Sequence, residues 1–155
     1  MPNCCRDSIT ITGKGTDKIN KLLKPNGDDD SGMLDDFFRV LIPMPKEYND
    51  TDSPNMNKAL SEQLLKKYGA RDWYDWNIGN WGIKWDLSEA SYEYRDNSIM
   101  IECESPWGPP LKGLRAVAKQ YNVDIEIHYA EPGMDFGGIT IFHPEDEEEV
   151  IEAWG

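Results

Sequence analysis

The chain has 155 residues, with 29 acidic side chains against 16 basic ones, a formal charge of -13 and a pI near 4.5. One domain is the default at this length, and 39% apolar with 11% aromatic residues is too much core material for a disordered chain. Such an excess of acid repels phosphate backbones and anionic lipid, which argues against direct nucleic-acid binding and against adhesion to a membrane.

Met1 to Asp7 has no apolar signal segment, and no run approaches the roughly 18 apolar residues of a membrane span. Three cysteines, with Cys4 and Cys5 adjacent, do not make a secreted framework and suggest a reducing compartment, so the expected location is cytoplasmic. Ser8 to Thr12 alternates, with Ile9 and Ile11 on one side and Thr10 and Thr12 on the other, and reads as a strand closed by Gly13 and Gly15. Thr16 then caps a short helix carrying Ile19, Leu22 and Leu23, which stops before Pro25. Asn26 to Gly32 reads as an acidic loop. Phe37 to Ile42 reads as a second strand ended by Pro43 and Pro45, with an open register because both faces are apolar.

Ser53 and Pro54 have the form of an N-cap and first helical position, for a helix with the stripe Leu60, Leu64, Leu65 and Tyr68 and a stop at Gly69. Ala90 to Arg95, the Asp96-Asn97 turn and Ser98 to Glu104 make a hairpin, with Tyr92 and Tyr94 on one face of the first strand and Ile99, Ile101 and Cys103 inward on the second. Pro109 and Pro110 open a helix that turns Leu111, Leu114, Val117, Ala118 and Tyr121 to a core and ends at Asn122. Val123 to Ala130 alternates again, with Val123, Ile125, Ile127 and Tyr129 in and Asp124, Glu126 and His128 out, and Ile139 to Phe142 adds one more strand.

This order predicts an α+β fold, a ferredoxin-like two-layer sandwich with a mostly antiparallel sheet, helices on one face and an inserted Trp-rich helical segment. The expected boundaries are a single domain over 1–143, an insertion at about 44–88, and an acidic C-terminal segment over 144–155. Glu93, Glu102, Glu104, Asp124 and Glu126 would collect on the open face, where RNA-recognition sheets carry aromatic and basic residues. The charge is also uneven along the chain: Gln120 to Gly155 holds ten acids and no Lys or Arg, and so carries -10 of the -13.

Asp72 to Asp86 contains four of the six tryptophans, Trp73, Trp76, Trp81 and Trp85. They can line an aromatic pocket or plug the core, and the plug is favoured because large aromatics bury so much apolar area. Asn26, Asp28 and Asp30 have the alternate spacing of a calcium loop, but Ser31 and Phe37 break the pattern. Gly13-Lys14-Gly15-Thr16 lacks the spacing of a phosphate loop and reads as a tight turn. His128 and His143 lie in no zinc pattern, Asp72 with Asp75 and Glu102 with Glu104 are the pairs expected by chance among so many acids, and no cofactor motif is present. Glu145 to Glu149 followed by Val150, Ile151 and Trp154 reads as a short helix docked on its own domain, or as a partner anchor at Trp154 with acids that steer a basic surface.

Met-Pro-Asn-Cys-Cys at the start, Ile42 to Pro45, Asn80-Trp81-Gly82 with Lys84-Trp85-Asp86, Ser105 to Pro110, and Glu131-Pro132-Gly133 with Phe136-Gly137-Gly138 occur in the same order as in the YubB-like family, which the chain resembles over most of its length. The sequence departs from that pattern at Cys4 and in its long acidic end. The resemblance implies a ferredoxin-like domain and a plasmid or phage origin, hence the cytoplasm of a host cell, and supplies no catalytic residues. The expectation is a non-enzymatic accessory protein that binds a host or defence protein with a basic surface, as an inhibitor or DNA mimic. Its binding residues would be Glu102, Glu104, Asp124, Glu126, Glu145, Asp146, Glu147, Glu148, Glu149 and Trp154. The alternatives are a small-molecule binder or enzyme that uses Trp73, Trp76, Trp81 and Trp85 as a pocket, and a self-assembling structural component.

Overall fold

The computed structural model describes residues 4–24, 31–49, 51–145 and 148–155. Strand β1 (Cys4–Thr12) leads through a tight turn at Gly13 into helix α1 (Thr16–Leu23). After it come β2 (Ser31–Leu34), the short helix α2 (Phe38–Leu41), a 3-10 turn (Lys46–Tyr48), and helices α3 (Lys58–Tyr68) and α4 (Trp73–Asn80). The hairpin β3 (Ser88–Arg95) and β4 (Ser98–Pro106), helix α5 (Leu111–Tyr121), and strands β5 (Asp124–Glu131), β6 (Phe136–Phe142) and β7 (Glu148–Trp154) complete the chain. The strands form one sheet in the order β2-β3-β4-β1-β5-β6-β7, with every neighbouring pair antiparallel.

The middle of that sheet is the expected fold. β1, α1, β3, β4, α5 and β5 run as βαββαβ, and their strands lie side by side as β3-β4-β1-β5, the ferredoxin-like arrangement. Side chains alternate across a pleated strand, so Ile9 and Ile11 meet Ile101 and Ile99 on one side and Ile127 and Ile125 on the other, all six fully buried under the helices. Each such burial stabilises the fold by about 1.5–3 kcal/mol relative to an exposed side chain. Leu114, Val117 and Ala118 of α5 and Ile19 and Leu23 of α1 supply the facing layer, and Asn122 ends α5 in the left-handed region at φ 57. The hairpin turn has both Asp96 and Asn97 at positive φ, as a two-residue turn requires.

Several local expectations are overturned. Phe37 to Ile42 is not a strand but the site of α2, and the strand in this region is Ser31–Leu34, so Gly32 belongs to a strand and not to a loop. Phe37, Phe38 and Leu41 are all buried, which adjacent strand residues above a single covered face cannot achieve. The carboxylate of Asp86 caps α2, accepting at 3.0 Å from the backbone N–H of Phe37, Phe38 and Arg39, and at 2.7 Å from that of Leu87. Thr16 is the first residue of α1 and no cap: Gly15 precedes it, and the buried Thr16 hydroxyl oxygen has no partner among the described residues. Helix α3 starts after Asn57, whose side chain accepts from Leu60 N at 3.1 Å, and Ser53 and Pro54 lie before it, joined by a cis peptide. Leu65 of its expected stripe is exposed. The described residues after Pro144 make no helix; β7 pairs along β6 and extends the same sheet. The calcium-like Asn26, Asp28 and Asp30 lie outside the described residues.

Two glycines mark close approaches. A Cβ at Gly113 would enter the Phe38 ring, so α5 can lie against α2 only with glycine there, and Gly113 N donates to the Trp81 carbonyl at 3.1 Å. A Cβ at Gly137 would enter the Trp154 ring, which covers that glycine from the facing position on β7. Cys5 and Cys103 are free thiols, and both are buried. No helix among the described residues is long and apolar enough to cross a membrane.

Candidate protein-binding face

The face of the sheet turned away from α1 and α5 is fixed by register. Arg6 faces Glu104 and Ala130, Ser8 faces Glu102 and His128, and Thr10 and Thr12 face Glu126 and Asp124. The flanking strands add Glu93 from β3, which faces Met100, and Glu149 and Glu152 from β7, which face Ile141 and Ile139. Glu93, Glu102, Glu104, Asp124 and Glu126 thus lie together where alternation expects them, and two acids of the last strand join them. Arg6 and Arg95 are the fixed cations among the described residues of this face, and Arg95 is engaged by Glu93 at 2.7 Å.

A shallow groove of about 560 Å³ runs over β4, β1, β5, β6 and β7, with Arg6, Glu102, Glu104, His128, Glu152 and Trp154 in its lining. Ser8 donates to Glu102 Oε1 at 2.7 Å, and the His128 Nε2 lies 2.8 Å from Glu126 Oε2. Glu104 and Glu152 have no ion-pair partner among the described residues. At the far end His143 bridges two strands, Nδ1 to Asp124 Oδ1 and Nε2 to Glu149 Oε1, each at 2.8 Å. Those hydrogen bonds to Asp124 and Glu149 hold its pKa above the usual 6.5. Trp154 is half exposed at the groove's edge, packed on Gly137.

The tail acids divide. Glu149 faces the groove, whereas Glu148 turns to the helix side and pairs with Arg115. Glu145 is exposed in the turn before β7, and Asp146 and Glu147 lie outside the described residues. The tryptophan segment divides as well. Trp76 and Trp81 belong to the core; Trp81 stacks on Phe38 at 5.9 Å, meets Trp76 edge-on at 5.7 Å, and donates its Nε1–H to the Ile42 carbonyl at 2.8 Å. Trp73 and Trp85 are half-buried at a second concavity, outside the sheet's open face.

One polar site on the helix side escaped the sequence reading. Asp7 is almost fully buried, and burial pushes its carboxyl up to about 7, against the hydrogen bonds from Ser105 and Cys5, which pull it down. Ser105 Oγ lies 2.6 Å from Asp7 Oδ2 and 2.7 Å from the Gly108 carbonyl. A hydroxyl has one proton, and the carbonyl can only accept, so the pair of short contacts is satisfied together when Asp7 carries a proton. Cys5 and Cys103 beside it are raised above the ordinary thiol value by the same burial. The signal was present in the alternation: Asp7 shares parity with Ile9 and Ile11 and had to point inward. Among the described residues no group of three or more His, Cys, Asp or Glu side chains could hold a metal ion.

Comparison with known proteins agrees with this architecture. The model of a family described as the ferredoxin-like domain in Api92-like protein matches residues 80–154. A crystal structure of the protein api92 from Yersinia pseudotuberculosis superposes with a TM-score of 0.55 at 11% sequence identity, covering 100% of this chain and 99% of that one, which at so low an identity bears on the fold alone. No curated protein matches the chain. The YubB-like resemblance rests on the sequence motifs. Over residues 80–154, therefore, the chain is similar to the ferredoxin-like domain in Api92-like protein.

Proposed function

We propose that the chain is a non-enzymatic accessory protein that binds a basic protein surface through the open face of its sheet. The observation that carries this reading is the register, which gathers Glu102, Glu104, Asp124, Glu126, Glu149 and Glu152 on one continuous surface. Like charges this close repel one another in the free protein, and a cationic partner relieves that repulsion while the field speeds encounter. Trp154 gives the rim one large apolar contact, the residue type that dominates interface energetics. The sequence resemblance points to a phage or plasmid setting, in which the partner is a host or defence protein. A partner whose basic surface ordinarily holds nucleic acid would meet carboxylates in place of phosphates.

The test is capture from host lysate by the intact chain and by two variants of equal charge. One replaces Glu102, Glu104, Glu126 and Glu152 with Gln; the other neutralises the exposed Asp17, Asp52, Glu62 and Asp75, which lie on helices and a loop and on no strand. A specific partner should be lost with the first variant, kept with the second, and released as salt rises, because screening shortens the field to about 8 Å at physiological ionic strength. Equal loss with both variants, or capture indifferent to salt, overturns the reading.

A further inference from the structure

A second concavity, of about 450 Å³, lies on the insertion, between the 3-10 turn, α4 and the loop that follows it. Arg39, Tyr48, Trp73, Asn77, Lys84 and Trp85 carry its chemistry, and among the described residues no Asp or Glu lines it. In a chain with 29 acids and 16 bases, a hollow that gathers two cations and no carboxylate stands against the composition.

The cations are available. Lys84 Nζ lies 5.7 Å from the centre of the Trp85 ring and 5.6 Å from that of Tyr74, with no carboxylate partner among the described residues. Arg39 makes a long 3.4 Å contact to Asp36, both side chains largely exposed, and such pairs contribute little. The walls are held in place: Trp73 N donates to Thr51 Oγ1 at 3.1 Å, the Thr51 hydroxyl donates to the Tyr48 carbonyl at 2.7 Å, and Trp81 is locked on Ile42. Asn77 is only 5% exposed, and its Nδ2 donates to the Lys84 carbonyl at 2.8 Å, which fixes the amide. Its Oδ1 is buried and has no partner among the described residues. Leaving such an acceptor unsatisfied is unfavourable, so Asn77 is a strained part of the wall behind the hollow.

The geometry points to a binding site for a small ring-bearing anion: a planar ring against Trp73 and Trp85, with its anionic group toward Arg39 and Lys84. The volume lies within the range of small-molecule sites. Nucleoside monophosphates and aromatic carboxylates share this chemistry.

Isothermal titration of the intact chain with adenosine monophosphate, guanosine monophosphate and indole-3-acetate separates the two sources, with adenosine and inorganic phosphate as the half-ligands. One of the ring-bearing anions should bind at about 100 μM or tighter, at least about tenfold more tightly than either half. Lys84→Gln should weaken it about fivefold or more, and Arg39→Gln, at a more exposed position, serves if the first variant melts early. Neutralising Glu102, Glu104, Glu126 and Glu152 on the sheet face should leave it unchanged, which separates this site from the proposed protein-binding face. Failure of every ring-bearing anion to bind below about 1 mM overturns the proposal. So does inorganic phosphate or adenosine binding as tightly as the whole ligand, or binding that Lys84→Gln and Arg39→Gln both leave intact.

Discussion

Replacing Asp7 with asparagine should stabilise the protein increasingly as pH rises from acid to mildly alkaline. The buried carboxyl titrates near 7 in the fold against 3.8 when solvated, and each pKa unit corresponds to ~1.4 kcal/mol, so ionising Asp7 costs the folded state about 4 kcal/mol. Because the folded value is the higher one, the contribution is fully present below pH 3.8, drains away as pH rises, and is gone once pH passes about 7. Asparagine keeps the shape, can donate to Ser105 Oγ as the protonated acid does, and never ionises. Urea denaturation of both proteins at pH 4.5, 6 and 8 reads the effect. The difference in unfolding free energy should move in favour of Asp7→Asn by about 3 kcal/mol between pH 4.5 and 8, since part of the loss has already occurred at pH 4.5. Other carboxylates titrate in both proteins and cancel in the difference. A gap that stays constant across this range would refute the assignment of a proton to the Asp7–Ser105–Gly108 chain.

Removing the distant cap with Asp86→Ala leaves the N–H groups of Phe37, Phe38, Arg39 and Leu87 without their acceptor, and should cost about 3 kcal/mol or more in denaturation, with amide protection lost first around α2. The His143 imidazole should titrate above 6.5 by NMR. Its stabilising contribution is present below 6.5 and lost as pH rises through the folded value, so amide exchange in β7 should quicken with pH more than the intrinsic rate, and His143→Gln should abolish that excess. Gly137→Ala drives a methyl group into the Trp154 ring and should cost about 1–3 kcal/mol while shifting the Trp154 indole resonance; an unmoved resonance would show that the ring does not cover the glycine. Arg6→Ala removes a fixed cation from the groove and should tighten binding of a basic partner about threefold at low salt, mostly through a faster on-rate measured by surface plasmon resonance.

Elements whose partners are implicit in their own pattern were legible. Alternation at Ile9 and Ile11 and again at Ile125 and Ile127, the turn at Asp96-Asn97, and the apolar stripes of α1 and α5 each describe a local geometry, and together they define the βαββαβ core. The misread elements depend on residues far away. Helix α2 exists because a carboxylate 47 to 49 residues later caps it, and nothing between Phe37 and Ile42 announces that. The last strand is not legible in the sequence because a run of acids before Val150 and Ile151 fits a helix start, whereas the deciding fact is an edge of β6 left open beside it. The open-face acids followed from parity and were placed correctly. The tryptophans could not be apportioned from sequence, since Trp76 and Trp73 lie on one short helix and differ only in depth, the first buried in the core and the second half-buried at its edge.

The sheet extends the ferredoxin-like core by one strand on one side and two on the other, so its outermost strands are β2 and β7. An outermost strand offers unpaired backbone groups to any passing chain and is a standing invitation to aggregate. β2 has four residues, too short to template much. β7 is long and exposed, and carries Val150, Ile151 and Trp154, a composition that invites stacking. Glu148, Glu149 and Glu152 stud the same strand, so a second copy laid against it would bring its own carboxylates into register with these and be repelled. Part of the acid at this end of the chain thus works at the sheet's border against edge-to-edge pairing, whatever else the open face attracts.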